Sequence, residues 1–474
     1  MNGVMNGHSR QQVNGERPWE QRFLPEPLRL DDNDRAQKIE ARLSKLMLCG
    51  ATLRRVVQVF EEEMENGLRE KPSSLQMENT YLPDLSDGTE HGVFLALDLG
   101  GTNFRVLLLE LVAGRPVREE VKQYHIGSDL RLGTGEALFN FLADCVQDFL
   151  REKGYEDTAC SLGFTFSFPM KQHSISSGEL ITWTKSFKCS GLEHVDVAAL
   201  LQRCLHARGL RVTVSVLLND TTGTLVAGAY VDRSVRIGAI LGTGSNGCYM
   251  ERASRVKHWE AKHEGVVEVC VDIEWGAFGD NGCLDFIRTE VDKEVDAHSL
   301  LATSFTFEKY IGGKYLGEIG ARALAALARD GLFPVEPPVG KLLTAQLSLF
   351  EEENCVGEVS RTLETLREVC PGTVFSADDA RVAQHVSHVA SNRAAQLASV
   401  CISTLLRRID KPYVTVAVDG SLYKHHPRLA RLMDKYIHLL APDHQFSVIN
   451  VEDGSGKGAA LTAAIAERIA KRAW

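Results

Sequence analysis

The spacing of apolar positions changes repeatedly along this chain, and each change marks an element. Over 32–68 they recur at helical spacing (Ile39, Leu43, Leu46, Met47, Leu53, Val56, Val57, Phe60), which predicts a helical lead-in stopped near Asn66-Gly67. The stretch 72–92, with Pro83, Asp87-Gly88 and several hydroxyls, reads as a loop. Two apolar runs within 93–112 flank a polar glycine turn and predict paired strands, followed by a β-rich piece at 117–126. A helix is expected at 135–152, a strand ending at Pro169, a helix at 195–208 and an apolar strand at 212–218 that runs into Asn219-Asp220. A small-residue helix at 223–230 precedes strands at 235–241 and 248–251. A strand-then-loop follows at 269–280. The span 285–328 reads as mostly helical with a Gly312-Gly313 break, 333–340 as a proline loop, and the chain to about 406 as helices. Strands at 414–418 and 446–451, a helix at 427–440 and a final helix at 459–471 complete the pattern.

Length and composition narrow this picture. A chain of 474 residues exceeds one compact core, so two or three domains are expected. Hydrophobic content of 44% and charged content of 24% are those of a soluble globular protein. A net charge of −10 argues against nucleic acid or an anionic membrane surface as the main partner. The 11 cysteines form no C-x-x-C and no zinc-spaced array, which fits reduced thiols in a cytosolic protein. No run reaches the length of a membrane span, and the polar start has no secretory apolar region. Asn2 stands where myristoylation needs glycine. Cytosolic location is expected. Association with the mitochondrial surface stays open, although no apolar N-terminal anchor is visible.

The candidate chemistry centres on the turn within L-D-L-G-G-T-N-F-R (97–105). Gly100 and Gly101 let backbone N–H groups approach an anion, and Asp98 beside them makes sense if a cation such as Mg²⁺ lies between acid and anion. Taken alone, the stretch is equally an ordinary hairpin. Its plan recurs, however, in I-L-G-T-G-S (240–245) and V-A-V-D-G-S (416–421), each an apolar strand ending in a small-residue turn with a hydroxyl. The repetition suggests two related halves offering amides to one ligand, and favours the phosphate reading. Gly242, Gly244 and Gly247 match a dinucleotide fingerprint, but a strand rather than a helix follows them. The 454–458 glycines precede a helix, yet Val451 and Gly458 break the Walker pattern.

Assembled in order, the blocks L-D-L-G-G-T-N-F-R, L-G-F-T-F-S-F-P (162–169), W-T-K-S-F (183–187), L-N-D-T (218–221), G-T-G-S-N (242–246), E-W-G-A-F-G-D (274–280), F-E-K-Y-I-G-G-K-Y-L-G-E (307–318), V-D-G-S-L-Y-K (418–424) and E-D-G-S-G-K-G-A-A (452–460) resemble the eukaryotic hexokinase family, in its single-unit hexokinase or glucokinase form. The resemblance covers about 35–474. It implies the α/β, two-domain actin-like (ribonuclease H-like) sugar-kinase fold, with mixed sheets and flanking helices around a deep cleft. The implied division places 31–84 and 222–450 in a large domain and 92–218 and 455–474 in a small one. Residues 85–91, 219–221 and 451–454 would connect them, and 1–30 would form a mobile polar arm.

The implied reaction moves the γ-phosphoryl of Mg-ATP to the 6-hydroxyl of a hexose, usually glucose. Ser167, Thr184, Lys185, Asn219, Asp220, Asn246, Glu274 and Glu308 would line the sugar site, with Asp220 as general base and Lys185 as the catalytic cation. Asp98, Gly100, Gly101, Thr102, Asn103, Arg105, Thr243, Gly244, Gly420 and Ser421 would surround the phosphates, and Lys314, Gly454, Ser455 and Gly456 would lie toward the nucleotide. Asp98 would hold Mg²⁺, through water. A monomer rather than a homodimer is expected, with hexose and ATP as its partners, no nucleic acid and no stable membrane insertion. Without the family, the minority alternatives are an ordinary helix-surface acid for Glu308 and a solvated helix lysine for Lys314. The chain departs from the family at Ser186, where glycine is usual, at 300–305, which replaces an Asn-Pro-Gly turn, and at Asp272-Ile273, which replaces Asn-Thr. The helix after Glu318 is unusually rich in alanine.

Overall fold

The computed structural model describes residues 17–100, 103–184, 187–256, 266–409 and 411–472. The Gly101, Thr102 and Lys185 assignments, the Asn103 side chain and the Ser186 departure lie outside the described residues, as does the 1–16 part of the expected arm. In chain order the strands are β1 (Glu78–Asn79), β2 (Gly92–Leu99), β3 (Asn103–Val112), β4 (Arg115–His125), β5 (Cys160–Phe166), β6 (Met170–Ser174), β7 (Ser177–Leu180), β8 (Val212–Leu218), β9 (Val235–Leu241), β10 (Ser245–Arg252), β11 (Glu268–Asp272), β12 (Tyr413–Asp419) and β13 (Gln445–Asn450).

Among the described residues these strands form one sheet of order β4-β3-β2-β5-β8, a second of order β1-β11-β10-β9-β12-β13, and the small pair β6-β7. The two large sheets share one plan. Each opens as an antiparallel meander, β2-β3-β4 or β9-β10-β11, and is extended by two parallel strands, β5 and β8 or β12 and β13. The repeated strand–glycine turn is thus part of a repeated sheet topology. Parallel neighbours need crossovers, and helices such as Gly135–Lys153 and Leu429–Leu440 supply them.

Two helices join the halves. Asp220–Val231 connects β8 to β9, and Gly454–Arg472 crosses it. The crossing is made at backbone contact: a Cβ on Gly458 would stand 1.9 Å from the Gly223 carbonyl oxygen. This explains why the last helix begins at Gly454 and not at 459. The glycines of 454–458 read as a turn in the sequence, but they serve as the thin face of a helix. Leu225, Val226, Ala459 and Ala460 share one core with Phe94 and Ala96 of β2 and Cys248 and Ala417 of β10 and β12.

Three further expectations change. The lead-in is two helices, Asn33–Leu43 and Gly50–Leu68, because Gly50 is packed against the Trp19 ring and Cys49 is extended. Residues 17–30, expected as part of a mobile arm, are docked: Phe23 is buried and stacks on Tyr436. Strand β1 lies in a stretch expected to be loop. Two residues carry no alternation to read, and the pairing of β1 with β11 is a tertiary contact. Among the described residues no helix is long and apolar enough to cross a membrane.

Candidate active site

The carboxyl ends of the parallel strands carry the site, as expected for open α/β sheets. On the first sheet Asp98 is the last residue but one of β2, and its register partner on β3 is Arg105. The Arg105 guanidinium donates to Asp98 and to Asp453, and to Ser455 Oγ at 3.2 Å. Ser455 Oγ donates to the same Asp98 oxygen, Oδ2, at 2.7 Å. Burial pulls the Arg105 proton affinity down, but Asp98 and Asp453 outweigh it and the guanidinium stays firmly charged. Asp419, at the end of β12, accepts from Gly420 N–H at 2.6 Å and Gly454 N–H at 3.1 Å. Burial lifts both Asp419 and Asp453 above the usual carboxylate range. One arginine is therefore shared by Asp98 and Asp453, with Asp419 close by, and acids outnumber it.

The second turn is closed by backbone instead of charge. Gly242 N–H donates to Gly244 O at 3.0 Å, and the carbonyls of Gly242 and Thr243 accept from the Gly313 and Lys314 N–H groups. These contacts seat the turn on the start of the helix Gly313–Arg329. Gly420 has φ of 120° and approaches so closely that a Cβ there would lie 2.4 Å from the Leu241 carbonyl oxygen. The Thr243 and Ser421 side chains remain exposed, open to a ligand. The Lys314 ammonium lies over the Tyr315 ring.

Between these turns lies a cluster of amides and carboxyls. Asn219 caps the helix Asp220–Val231, accepting from Thr221 N–H at 2.9 Å, so Asp220 occupies the helix's first turn and not a loop. Asn219 Nδ2 donates to Glu274 Oε1 at 3.3 Å. Glu274 has φ of 55°, an uncommon left-handed backbone for a non-glycine residue, and directs its side chain into the cluster. Glu308 accepts from Ser245 N–H at 3.1 Å, and a Cβ on Gly244 would meet it at 2.3 Å. The helix bearing Glu308, Thr306–Ile311, follows the atypical 300–305 turn. Asp280 holds its start by accepting from the Phe305 and Thr306 N–H groups at 2.9 and 2.8 Å.

Burial pushes Glu274 well above the carboxylate range, reinforced by Asp272, Asp220 and Glu308. Ser167 is buried at the end of β5, its N–H donating to Leu99 O at 3.2 Å. Half-buried Thr184 adjoins an aromatic stack of Phe166, Phe168, Trp183 and Phe187. The structure thus brings Asn219, Asp220, Asn246, Glu274 and Glu308 together, and gathers Asp98, Arg105, Gly454 and Ser455 beside Asp419. Sequence reasoning passed over Asp272, Thr221, Asp419, Asp453 and Asp280. A signal existed for Asp272 as a departure from a pattern and for Asp419 at a strand end. Asp453 and Asp280 stand inside the quoted blocks, but their partners, Arg105 and the 305–306 N–H groups, are distant in sequence and give their roles no local signal.

Two family models, each described as hexokinase, match the chain, one over residues 38–230 and the other over 236–465. The chain is 41% identical to Hexokinase-1 of Mus musculus over 452 residues, 91% of this chain and 46% of that protein. It is 40% identical to Hexokinase-2 of Homo sapiens over 462 residues, 93% of this chain and 49% of that protein. It spans about half the length of the curated relatives it matches. A solved hexokinase from Schistosoma mansoni complexed with glucose superposes with a TM-score of 0.84 at 36% identity, covering 92% of this chain and all of that one. A second hexokinase crystal structure gives 0.80 at 29% identity over 92% of this chain and all of its own. With its mixed α/β sheets and the two-domain sugar-kinase fold of these structures, the chain belongs to the hexokinase family.

Proposed function

We propose that this chain transfers the γ-phosphoryl of Mg-ATP to the 6-hydroxyl of D-glucose and related hexoses. The observation that carries the reading is the gathering of Asn219, Asp220, Asn246, Glu274 and Glu308 at the strand ends, beside two glycine turns. A sugar needs such a dense set of fixed donors and acceptors, because each hydroxyl stripped of water must be paired. Its family membership and the glucose bound to the Schistosoma mansoni relative support the same choice.

Asp220 acts as general base, taking the proton of the attacking hydroxyl, a contribution of roughly 10²–10⁴-fold. Lys185 supplies a cation for the moving phosphoryl. Ser167 and Thr184 complete the sugar pocket with Asn219, Asn246, Glu274 and Glu308. Gly100 to Asn103, Arg105, Thr243, Gly244, Gly420 and Ser421 surround the phosphates, with Lys314 and 454–456 toward the nucleotide. Mg²⁺ enters as part of the nucleotide substrate and offsets phosphate charge. Asp98, whose Oδ2 already accepts from Arg105 and Ser455, suits a water-mediated hold on it.

The domain division read from the sequence, closure of those domains on the sugar to exclude water, a monomeric state and a cytosolic location belong to the same proposal. A coupled assay with purified protein, glucose and Mg-ATP tests it: glucose-dependent ADP release is expected, and its absence across a hexose panel would refute the reading.

A further inference from the structure

Glu308 stands on a helix of 6 residues, Thr306–Ile311, which is too short to hold itself in water. Its direction must be fixed from outside. Asp280 secures its start through the Phe305 and Thr306 N–H groups. The turn leading into it places two non-glycine residues in the left-handed region, Thr303 at φ 66° and Phe305 at φ 56°. A β-branched residue there is strained, and such a turn persists only where its neighbours over-determine it.

Lys309 is the neighbour that does so. It is 3% exposed, and its ammonium donates to Asp296, 13 residues back on the helix Glu290–Ala297, and to the Leu301 carbonyl oxygen at 2.7 Å. The same Asp296 oxygen, Oδ1, accepts from Thr303 N–H at 2.9 Å, and Oδ2 accepts from the Arg288 guanidinium at 2.8 Å. Burial raises the Asp296 carboxyl, but its Lys309, Thr303 and Arg288 partners outweigh burial and hold it below the usual carboxylate range. A buried charge is tolerated only when paired and hydrogen-bonded, so the Lys309 ammonium stays where both acceptors are. Successive side chains on a helix diverge by about 100°. With Lys309 tied toward Glu290–Ala297, Glu308 is turned toward the second glycine turn. There it accepts from Ser245 N–H at 3.1 Å and fills the space a side chain on Gly244 would need.

We propose that Lys309 and Asp296 are positioning residues of the sugar site: their buried ion pair fixes the rotation of the short helix and closes the 300–305 turn, so that Glu308 faces the hexose in one pose before the sugar arrives. The proposal rests on the hexose reading above. Because the pair acts through Glu308, it governs the KM for sugar and not the KM for nucleotide.

The test starts from Lys309→Met, which keeps a buried apolar stem and removes the charge. Asp296 retains Arg288, so the variant should fold. In the coupled assay it should raise the KM for glucose about tenfold, change kcat less than about threefold and leave the KM for ATP as in wild type. Asp296→Asn, which keeps an acceptor for Thr303 N–H, should raise the KM for glucose by less, and carries the same test should Lys309→Met not fold. A merely structural role would weaken resistance to urea and leave the KM for glucose of the folded enzyme unchanged. A double-mutant cycle separates the two roles further: in a Glu308→Gln background, Lys309→Met should add almost nothing to the KM for glucose. In wild type without sugar, the 303–306 amides should be protected from hydrogen exchange, and Lys309→Met should expose them. An unchanged KM for glucose, independent effects in the cycle, or 303–306 amides that become protected in wild type only when glucose is added would overturn the proposal. If wild type phosphorylates no hexose, the hexose reading fails, and the exchange comparison still decides whether the pair holds the turn.

Discussion

The two large sheets repeat one topology, yet their leading turns are built from different forces. Near the end of β2 stands Asp98 with Arg105 opposite; the same place on β9 holds Ile240 with Asn246 opposite. The first turn is held by charge, since Asp98 and Asp453 share one guanidinium. The second is held by carbonyls and N–H groups, with Glu308 pressed against Gly244. The repeated fold supplies a small-residue turn twice, and local side chains decide which turn carries charge. The chemistry of a site is grafted onto a topology and does not follow from it.

The largest expected effect lies between the turns. Asp220→Ala should cut turnover at least about a hundredfold while glucose still binds, as read by tryptophan fluorescence; near-normal turnover would place the base elsewhere. Next comes the charge balance of the first turn. Arg105→Met leaves Asp98 and Asp453 facing each other without their cation, and should cost about 1–3 kcal/mol in urea denaturation, less than a fully buried pair because the arginine is partly exposed. Thr243→Val at the second turn should leave stability unchanged and raise only the KM for ATP. Equal stability losses for the two variants would erase the distinction drawn between the turns.

A steric change sharpens the second turn alone. In Gly244→Ala the new Cβ would overlap the Glu308 carboxylate, so the KM for glucose should rise about tenfold, more than the KM for ATP, whose phosphates the same turn faces. The smallest effect concerns the edge of the second sheet, which has no counterpart in the first. Glu78 on β1 accepts from the Gln172 N–H at 2.9 Å on β6. Burial pushes its carboxyl up to about 7, from 4.5. The folded state therefore binds this proton more tightly than the unfolded chain, and the stability it contributes is present below about pH 4.5 and is lost as pH rises toward 7. Glu78→Gln should match wild type at pH 4.5 and be more stable at pH 8 by about 1–2 kcal/mol, measured by denaturation at the two pH values.

Legibility in the sequence followed how local each cause was. The helix Gly135–Lys153 was readable because its apolar spacing, its Thr134 cap and its αL Gly154 all lie within it. The second strand after Gly247 was readable too, and it was enough to set aside a dinucleotide fold. The start of the last helix was not: its glycines look like a turn until the helix Asp220–Val231 is laid against them. Glu274 and Glu308 were named by motif, but Asp272 attracted notice only as a departure, because the contact that ties it to the site, the Asn246 amide, comes from a neighbouring strand.

By itself the sequence determined the order of strands and helices, the three glycine turns at strand ends, and the residue types that a sugar and a polyphosphate would need, since each depends on neighbours along the chain. Tertiary structure alone decided which carboxyl pairs with which cation, which partners fill the hydrogen bonds of Asn246, and that glycines at 223 and 458 let two helices touch. Those outcomes depend on distances between residues far apart in the chain, and burial in a low-dielectric interior turns such distances into charge states and hydrogen-bond directions.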